Sequence, residues 1–201
     1  MENGSTIMNV GDPALLARIA SGEQGAFREV YVFYYKRLYQ FAYAFVKTRE
    51  PAEEIVEDVF VRIWQQRETI GSIQNLRVYL YTAVKNSALN YLSQKARQSV
   101  TEPFDHIHIG VESPTATPEQ ILITAEIQQK IHAAVEALPP RCKMIFKLVR
   151  EDGLKYKEIA GILNISVNTI DAQMAIAVKK ITAAIGAEFD FPIKKTGRQI
   201  N

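Results

Sequence analysis

The 201-residue sequence contains a single cysteine, Cys142. One thiol excludes an intramolecular disulfide and any cysteine-clustered zinc site. His106 and His108 lie close in sequence, but no further ligand accompanies them, so no metal is expected. Long apolar runs are also missing: none approaches the roughly 20 residues needed to span a bilayer. The opening MENGSTIMNVGDP lacks the charged start and apolar stretch of a signal peptide. No nucleotide loop, metal-ligand spacing or nucleophile–base constellation occurs, which argues against a helical enzyme, a cofactor or a small-molecule substrate. A soluble protein of the reducing cytoplasm is the expectation.

An excess of one charge is lacking too. Lys and Arg number 24 against 22 Asp and Glu, a formal net charge of +2. The distribution is less even than the total. Residues 1–68 hold 8 basic and 10 acidic groups, whereas residues 69–98 carry Arg77, Lys85, Lys95 and Arg97 with no acid. Glu102, Asp105 and Glu112 make residues 99–117 net negative. Phosphate neutralisation supplies most non-specific affinity for DNA. A chain this balanced should bind duplex DNA weakly unless a larger basic partner helps.

What is present is helical periodicity, with nearly half the residues apolar. Asp12-Pro13 reads as a helix start, an N-cap acid before proline, and Gly22 as the stop. A helix over 23–48 carries the stripe Phe27, Tyr31, Tyr34, Leu38, Phe41 and Phe45, which predicts a packed core face. Pro51 opens a third helix, with Ile55, Val56, Val59, Phe60, Ile63 and Trp64 inward and Glu53, Glu54, Glu57 and Asp58 clustered opposite. Those acids suit a helix N-terminus electrostatically, or a basic protein partner. After a loop at 69–74, a fourth helix covers 75–98. Leu76, Leu80, Ala83, Val84, Ala88 and Tyr91 or Leu92 face its core. Asn86 and Asn90, one turn apart, are placed on the face bearing Arg77 and Lys85. Cations hold phosphates, amides read base edges and Tyr79 can stack on an unpaired base.

The pattern breaks over 99–117, rich in proline and small polar residues, and this reads as a linker. Thr117-Pro118 restarts a helix that runs to about Leu138. Pro139 and Pro140 punctuate, a helix over 141–151 follows, and Gly153 is its stop. Then comes YKEIAGIL-NIS-VNTIDAQMAIAVKKI. Tyr156, Ile159, Ala160 and Leu163 define one apolar face; Val167, Ile170, Met174, Val178 and Ile181 define the next. Three residues separate them, so the helices must cross steeply. Asn164 suits a left-handed turn and Ser166 an N-cap. This is the pattern of a helix-turn-helix, whose second helix enters the major groove. The tail from 186 shows no period.

Two helical modules, a linker, a basic-aromatic helix in the first and a helix-turn-helix in the second resemble the sigma-70 family of RNA polymerase sigma factors. The closer resemblance is to its extracytoplasmic-function (ECF) group, and YLYTAVKN with the aromatic first module resembles the iron-uptake-type members of Bacteroidetes. AEEIVEDVFVRIWQQRE is similar to region 2.2, NLRVYLYTAVKNSALNYL to regions 2.3 and 2.4, and LPPRCKMIFKLVREDGLKYKEIAGILNISVNTI to region 4. The resemblance implies an all-α fold of two domains, 10–98 and 119–185, with a linker at 99–118 and a tail at 186–201. It implies docking of Glu54, Glu57, Asp58 and Arg62 on the β′ clamp of core polymerase, with the β flap as a second contact. For the −10 promoter element it implies Ile73, Gln74, Asn75, Arg77, Tyr79, Lys85, Asn86 and Asn90. For the −35 element it implies Ser166, Asn168, Thr169, Gln173 and Lys179. An anti-sigma factor, membrane-bound or free, is the further partner implied.

Two departures stand out. The run Asp171-Ala172-Gln173-Met174-Ala175-Ile176 is nearly uncharged where the family often has basic and aromatic residues, so shape or backbone readout gains weight at −35. Lys155 occupies the place of a capping Ser. The competing function is a stand-alone helix-turn-helix regulator whose N-terminal module senses a ligand or dimerises; the acid-free fourth helix and low charge argue against it.

Overall fold

The computed structural model describes residues 13–98 and 122–185. The expected linker at 99–118, the tail from 186, and the helix starts at Asp12 and Thr117 lie outside the described residues. Eight α-helices and one 3₁₀ turn make up the described chain: α1 Pro13–Ala20, α2 Gln24–Val46, α3 Arg49–Gln65, a 3₁₀ turn at Arg67–Ser72, α4 Leu76–Gln98, α5 Leu122–Glu136, α6 Pro140–Arg150, α7 Tyr156–Leu163 and α8 Val167–Ile185. The architecture is all-α, with the two helical domains that the periodicity predicts.

Local chemistry sets most boundaries. Gly22 and Gly153 both adopt positive φ where α1 and α6 end, a conformation that costs other residues strain. Helix α2 ends instead on Lys47, left-handed at φ 60°, whose N–H donates to Tyr43 O. Helix α3 begins two residues earlier than proline alone suggests. Pro51 then sits third in the helix, where a backbone N–H has no intrahelical acceptor, so the missing donor costs nothing. The expected loop at 69–74 is largely the 3₁₀ turn, which buries Ile70 against α1.

Between α7 and α8 the geometry follows the sequence closely. Asn164 is left-handed at φ 57°, and the Asn164 and Ile165 N–H groups both reach Ala160 O. Ser166 Oγ accepts the Thr169 N–H at 3.1 Å, capping α8. The two helices meet at 110°. Lys155 cannot accept a hydrogen bond through its side chain. Its N–H is held instead by Glu158 Oε2 at 2.7 Å, the reciprocal half of a capping box.

The apolar stripe of α8 differs from the expected one. Ile170, Met174 and Ala177 are buried, whereas Val167 and Val178 are 40% and 47% exposed. Val178 follows Ala177 by one residue and so points about 100° away; the true stripe steps through the smaller alanine. Helix α4 adds a second correction. Tyr81, absent from the expected core set, is fully buried and meets Phe41 edge-on, ring centroids 5.0 Å apart.

One continuous apolar core joins residues from Leu15 to Met174. It does not stop at the domain boundary: α4 lies on α2 and α3 and also on α7, while α6 touches α2. A smaller cluster of Val135, Leu138, Cys142 and Ala177 fastens α5, α6 and α8. Glu136 adds ion pairs to Lys143 at 3.0 Å and Lys147 at 3.2 Å.

Where the two domains meet, polar atoms are buried. The Asp152 side chain is 7% exposed, with Oδ1 3.2 Å from Arg37 Nε. No well-aligned hydrogen bond reaches that oxygen or the hydroxyls of Tyr34 and Tyr81, although Arg37 and the Tyr81 hydroxyl lie close enough to Asp152 to act on its charge. Burial pushes the Asp152 carboxyl up to about 6, the Tyr81 hydroxyl and Arg37 opposing the rise. Burial likewise raises Tyr81, with the Asp152 charge adding to it.

Two outcomes are expected. Tyr81→Phe keeps the ring and removes an unpaired buried hydroxyl, so urea unfolding should show a stability gain on the order of 1 kcal/mol; a loss would show the hydroxyl bonded to Asp152. For Asp152, the folded protein holds the proton more tightly than the unfolded chain. Its contribution to stability is therefore full below the ordinary carboxyl range and lost as pH rises through about 6. Asp152→Asn should gain on the parent at about pH 8 and not at about pH 4, read by paired urea melts.

Candidate polymerase and nucleic-acid interfaces

Helix α3 divides cleanly. Ile55, Val56, Val59, Phe60 and Ile63 are buried, and Glu54, Glu57, Asp58 and Arg62 are exposed along one outer stripe. Glu53 is drawn off to Arg49 at 2.9 Å. Val61 belongs to the same stripe and is 53% exposed. The sequence reading missed it, although it lies four residues after Glu57 and three after Asp58, the spacing of neighbours on a helix. An acidic surface with one apolar residue in its middle suits a basic protein partner.

Helix α4 and the turn before it hold the eight residues assigned to the −10 element. Gln74, Asn75, Asn86 and Asn90 are exposed; Ile73, Arg77, Tyr79 and Lys85 are half-buried. Asn86 is not packed inside the domain. Leu89 is 47% exposed, and with Asn86 and Asn90 it forms a stripe of two amides and an apolar side chain. Arg77 is not on that face, contrary to expectation. Nine residues before Asn86 is two and a half turns, which places it on the opposite side. There it donates to Asp152 O at 2.9 Å and Gly153 O at 3.1 Å in the turn after α6.

Asn75 is also occupied. Its Oδ1 accepts the Val78 N–H at 3.1 Å, capping α4, and its Nδ2 donates to Glu158 Oε1 at 2.8 Å. The structure thus brings Asn86 and Asn90 together on an open surface. It places Asn75 and Arg77 under the second domain.

In the helix-turn-helix, Ser166, Asn168 and Lys179 are exposed, while Thr169 and Gln173 are half-buried. The Thr169 hydroxyl lies 2.8 Å from Ser166 Oγ, so both side chains serve the cap first. The Gln173 carbonyl accepts from Cys142 Sγ at 3.2 Å. Asp171, Ala172, Ala175 and Ile176 are exposed as well, so the first half of the helix offers no positive charge; its exposed cations, Lys179 and Lys180, come two turns later. Arg150, missed earlier, lines a shallow groove with Tyr156, Asp171 and Lys179. Among the described residues no cluster of His, Cys, Asp or Glu has the arrangement of a metal site, and no single helix is long and apolar enough to cross a membrane.

Comparison with known proteins matches the two segments that carry these surfaces, in order. The profile of Sigma-70 region 2 covers residues 30–98, and that of Sigma-70, region 4 covers residues 128–181. Together they take in more than half of the chain. The chain belongs to the sigma-70 family. It is similar to the ECF RNA polymerase sigma-E factor of Escherichia coli (strain K12), 25% identical over 169 residues, covering 81% of this chain and 88% of that protein. The sigma-E factor of Haemophilus influenzae is 23% identical over 169 residues, with 81% and 89% covered. Among solved structures, a sigma factor from Bartonella quintana in complex with the anti-sigma factor NepR shares the fold, with TM-score 0.53, 18% identity, and 81% and 98% covered. The protein is an alternative sigma factor of the ECF group: it binds core RNA polymerase and directs promoter-specific initiation. The stand-alone regulator reading falls with that result.

The outer stripe of α3 yields a direct test. Glu57→Lys with Asp58→Lys alters two exposed positions, so thermal stability should shift by no more than about 0.5 kcal/mol per site. Retention of core polymerase in a pull-down should drop sharply. A folded double variant that still retains polymerase normally would show that these acids only solvate the helix.

Proposed function

We propose that domain 10–98 docks on polymerase through Glu54, Glu57, Asp58 and Arg62, with Val61 at the centre of that contact, and reads the −10 element through α4. The observation that carries the DNA assignment is the exposed Asn86–Leu89–Asn90 stripe on a helix with no acid. An amide carries both donor and acceptor and so can read one base edge. Leu89 offers an apolar seat for an unstacked base. Base extrusion costs a few kcal/mol, which contacts of this kind offset. Tyr79 and Lys85 border the stripe, and Ile73, Gln74 and Asn75 form the turn at the start of the same helix, about three helical turns from Asn86.

Domain 119–185 then reads the −35 element, with Asn168, Gln173 and Lys179 toward the groove and Ser166 and Thr169 at the helix start. Arg150 adds a phosphate contact. Ala172 and Ile176 are exposed apolar groups, suited to thymine methyls rather than to hydrogen-bonded readout.

The aromatic α2 and YLYTAVKN support the Bacteroidetes iron-uptake subtype. The complex of the Bartonella relative with NepR supports an anti-sigma partner for this chain as well. A cleft of about 630 Å³ between α2 and α6, lined by Tyr35, Tyr39, Tyr43, Met144 and Lys147, is the seat we assign it. The protein acts in the cytoplasm, where polymerase is.

Asn86→Ala tests the −10 assignment. Losing one base contact costs about 1–3 kcal/mol of discrimination. Initiation should fall and preference should relax at one −10 position, with melting temperature and core affinity unchanged. Transcription from promoters varied through the −10 element reads it; a lower melting temperature with unaltered base preference would make Asn86 structural.

A further inference from the structure

We propose that the cleft between α2 and α6 binds a nucleotide-like anion, a flat ring joined to a phosphate. The cleft holds about 630 Å³, within the range of small-molecule sites. Tyr35, Tyr39 and Tyr43 line it, spaced by four along α2 so that their rings form one strip. The Tyr39 and Tyr43 ring centroids lie 6.1 Å apart, the planes tilted by 33°. Helix α6 contributes Met144 and Leu148 to the same lining. A planar ring stacks on aromatic side chains through its π-face, so this strip suits the flat part of such a ligand.

Charge identifies the other part. The lining carries six cations against four carboxylates. Asp152 is committed to Arg37 at 3.2 Å and Glu53 to Arg49 at 2.9 Å, while Lys36 and Glu151 are exposed. Lys47, Lys143 and Lys147 are left with one acid among them, Glu136, which pairs with the latter two at 3.0 and 3.2 Å. That surplus of positive charge matches a phosphate monoester, which carries about −1.5 to −2 near neutral pH. Lys47 is the sharpest pointer. It is half-buried, and no carboxylate among the described residues offsets its charge. Burial pushes its ammonium below the ordinary lysine value, and the Lys143 charge adds to the push. It also ends α2 in the left-handed conformation, at φ 60°, where glycine is the unstrained choice. A helix stop alone calls for no half-buried cation there. An anion in the cleft offsets the burial and the repulsion together. The cleft is also the seat assigned above to the anti-sigma partner; the two occupants exclude each other, and neither assignment rests on the other.

Titration calorimetry on the full-length chain tests this, with AMP as the probe and adenosine and inorganic phosphate as its two halves. AMP should bind with saturation, and each half should bind at least about tenfold more weakly, because it lacks one set of contacts. Lys47→Gly removes the charge and relieves the left-handed backbone, so its melting temperature should match or exceed the parent's. Its affinity for AMP should fall about tenfold, as the loss of one charge-assisted contact implies. Lys47→Gln, which drops the charge alone, should lose the same affinity. Tyr39→Leu keeps apolar bulk without a flat face and should also weaken AMP. A parent that does not bind AMP overturns the proposal, and so do Lys47 variants that bind it as the parent does. Inorganic phosphate binding as tightly as AMP overturns the stacking strip, and the nucleotide class with it. No partner takes part in these titrations, so their failure leaves the anti-sigma assignment standing.

Discussion

The structure depends on one helix being claimed from several directions at once. Helix α4 buries Leu76, Leu80, Tyr81, Val84 and Ala88, packing on α2, α3 and α7. Apolar burial is non-directional and roughly proportional to area, so it fixes α4 in place without using its remaining face. That face is left for Asn86, Leu89 and Asn90. The −10 reading surface that we propose there lies on a helix held by three neighbours, and so would keep its geometry better than a loop.

Weak charge sets a second constraint. A net charge of +2 supplies little counterion release, and the first half of the exposed surface of α8 carries Asp171 among apolar residues, with Lys179 and Lys180 further along. Such a chain gains DNA affinity only when polymerase contributes the electrostatic grip. The acidic stripe of α3, where we propose that polymerase docks, is consistent with that division of labour, since its charge repels DNA.

Much of this was legible in the sequence because local rules agree with the fold. Asn164, Ser166, Gly22 and Gly153 all sit where backbone chemistry puts them, and the stripe of α3 follows simple periodicity; on α2 the expected line holds at Tyr34, Leu38 and Phe41, while Ala26, Val30, Ala42 and Val46 are buried where Phe27, Tyr31 and Phe45 are only half-buried. The misses have physical causes. Tyr81 carries a hydroxyl and looks like a surface residue until the α2 packing takes its ring. Val178 fits a three-four spacing as well as Ala177 does, and only the α6–α8 contact chooses between them. Arg77 was grouped with Asn86 by charge, although helix geometry alone separates them. The pairing of Asn75 with Glu158, 83 residues away, leaves no local trace at all, because neither residue's periodicity reports a partner in another domain.

The lone thiol carries a consequence of its own. Cys142 is fully buried, its proton is held more tightly by burial, and its Sγ points at a backbone carbonyl. Oxidants attack exposed thiolates, and this one is neither exposed nor ionised. Methionine is the remaining oxidisable sulfur, and of the two methionines described, Met174 is buried and Met144 half-buried. The described domains therefore offer an oxidant no exposed thiol and, at Met144, only a half-buried thioether.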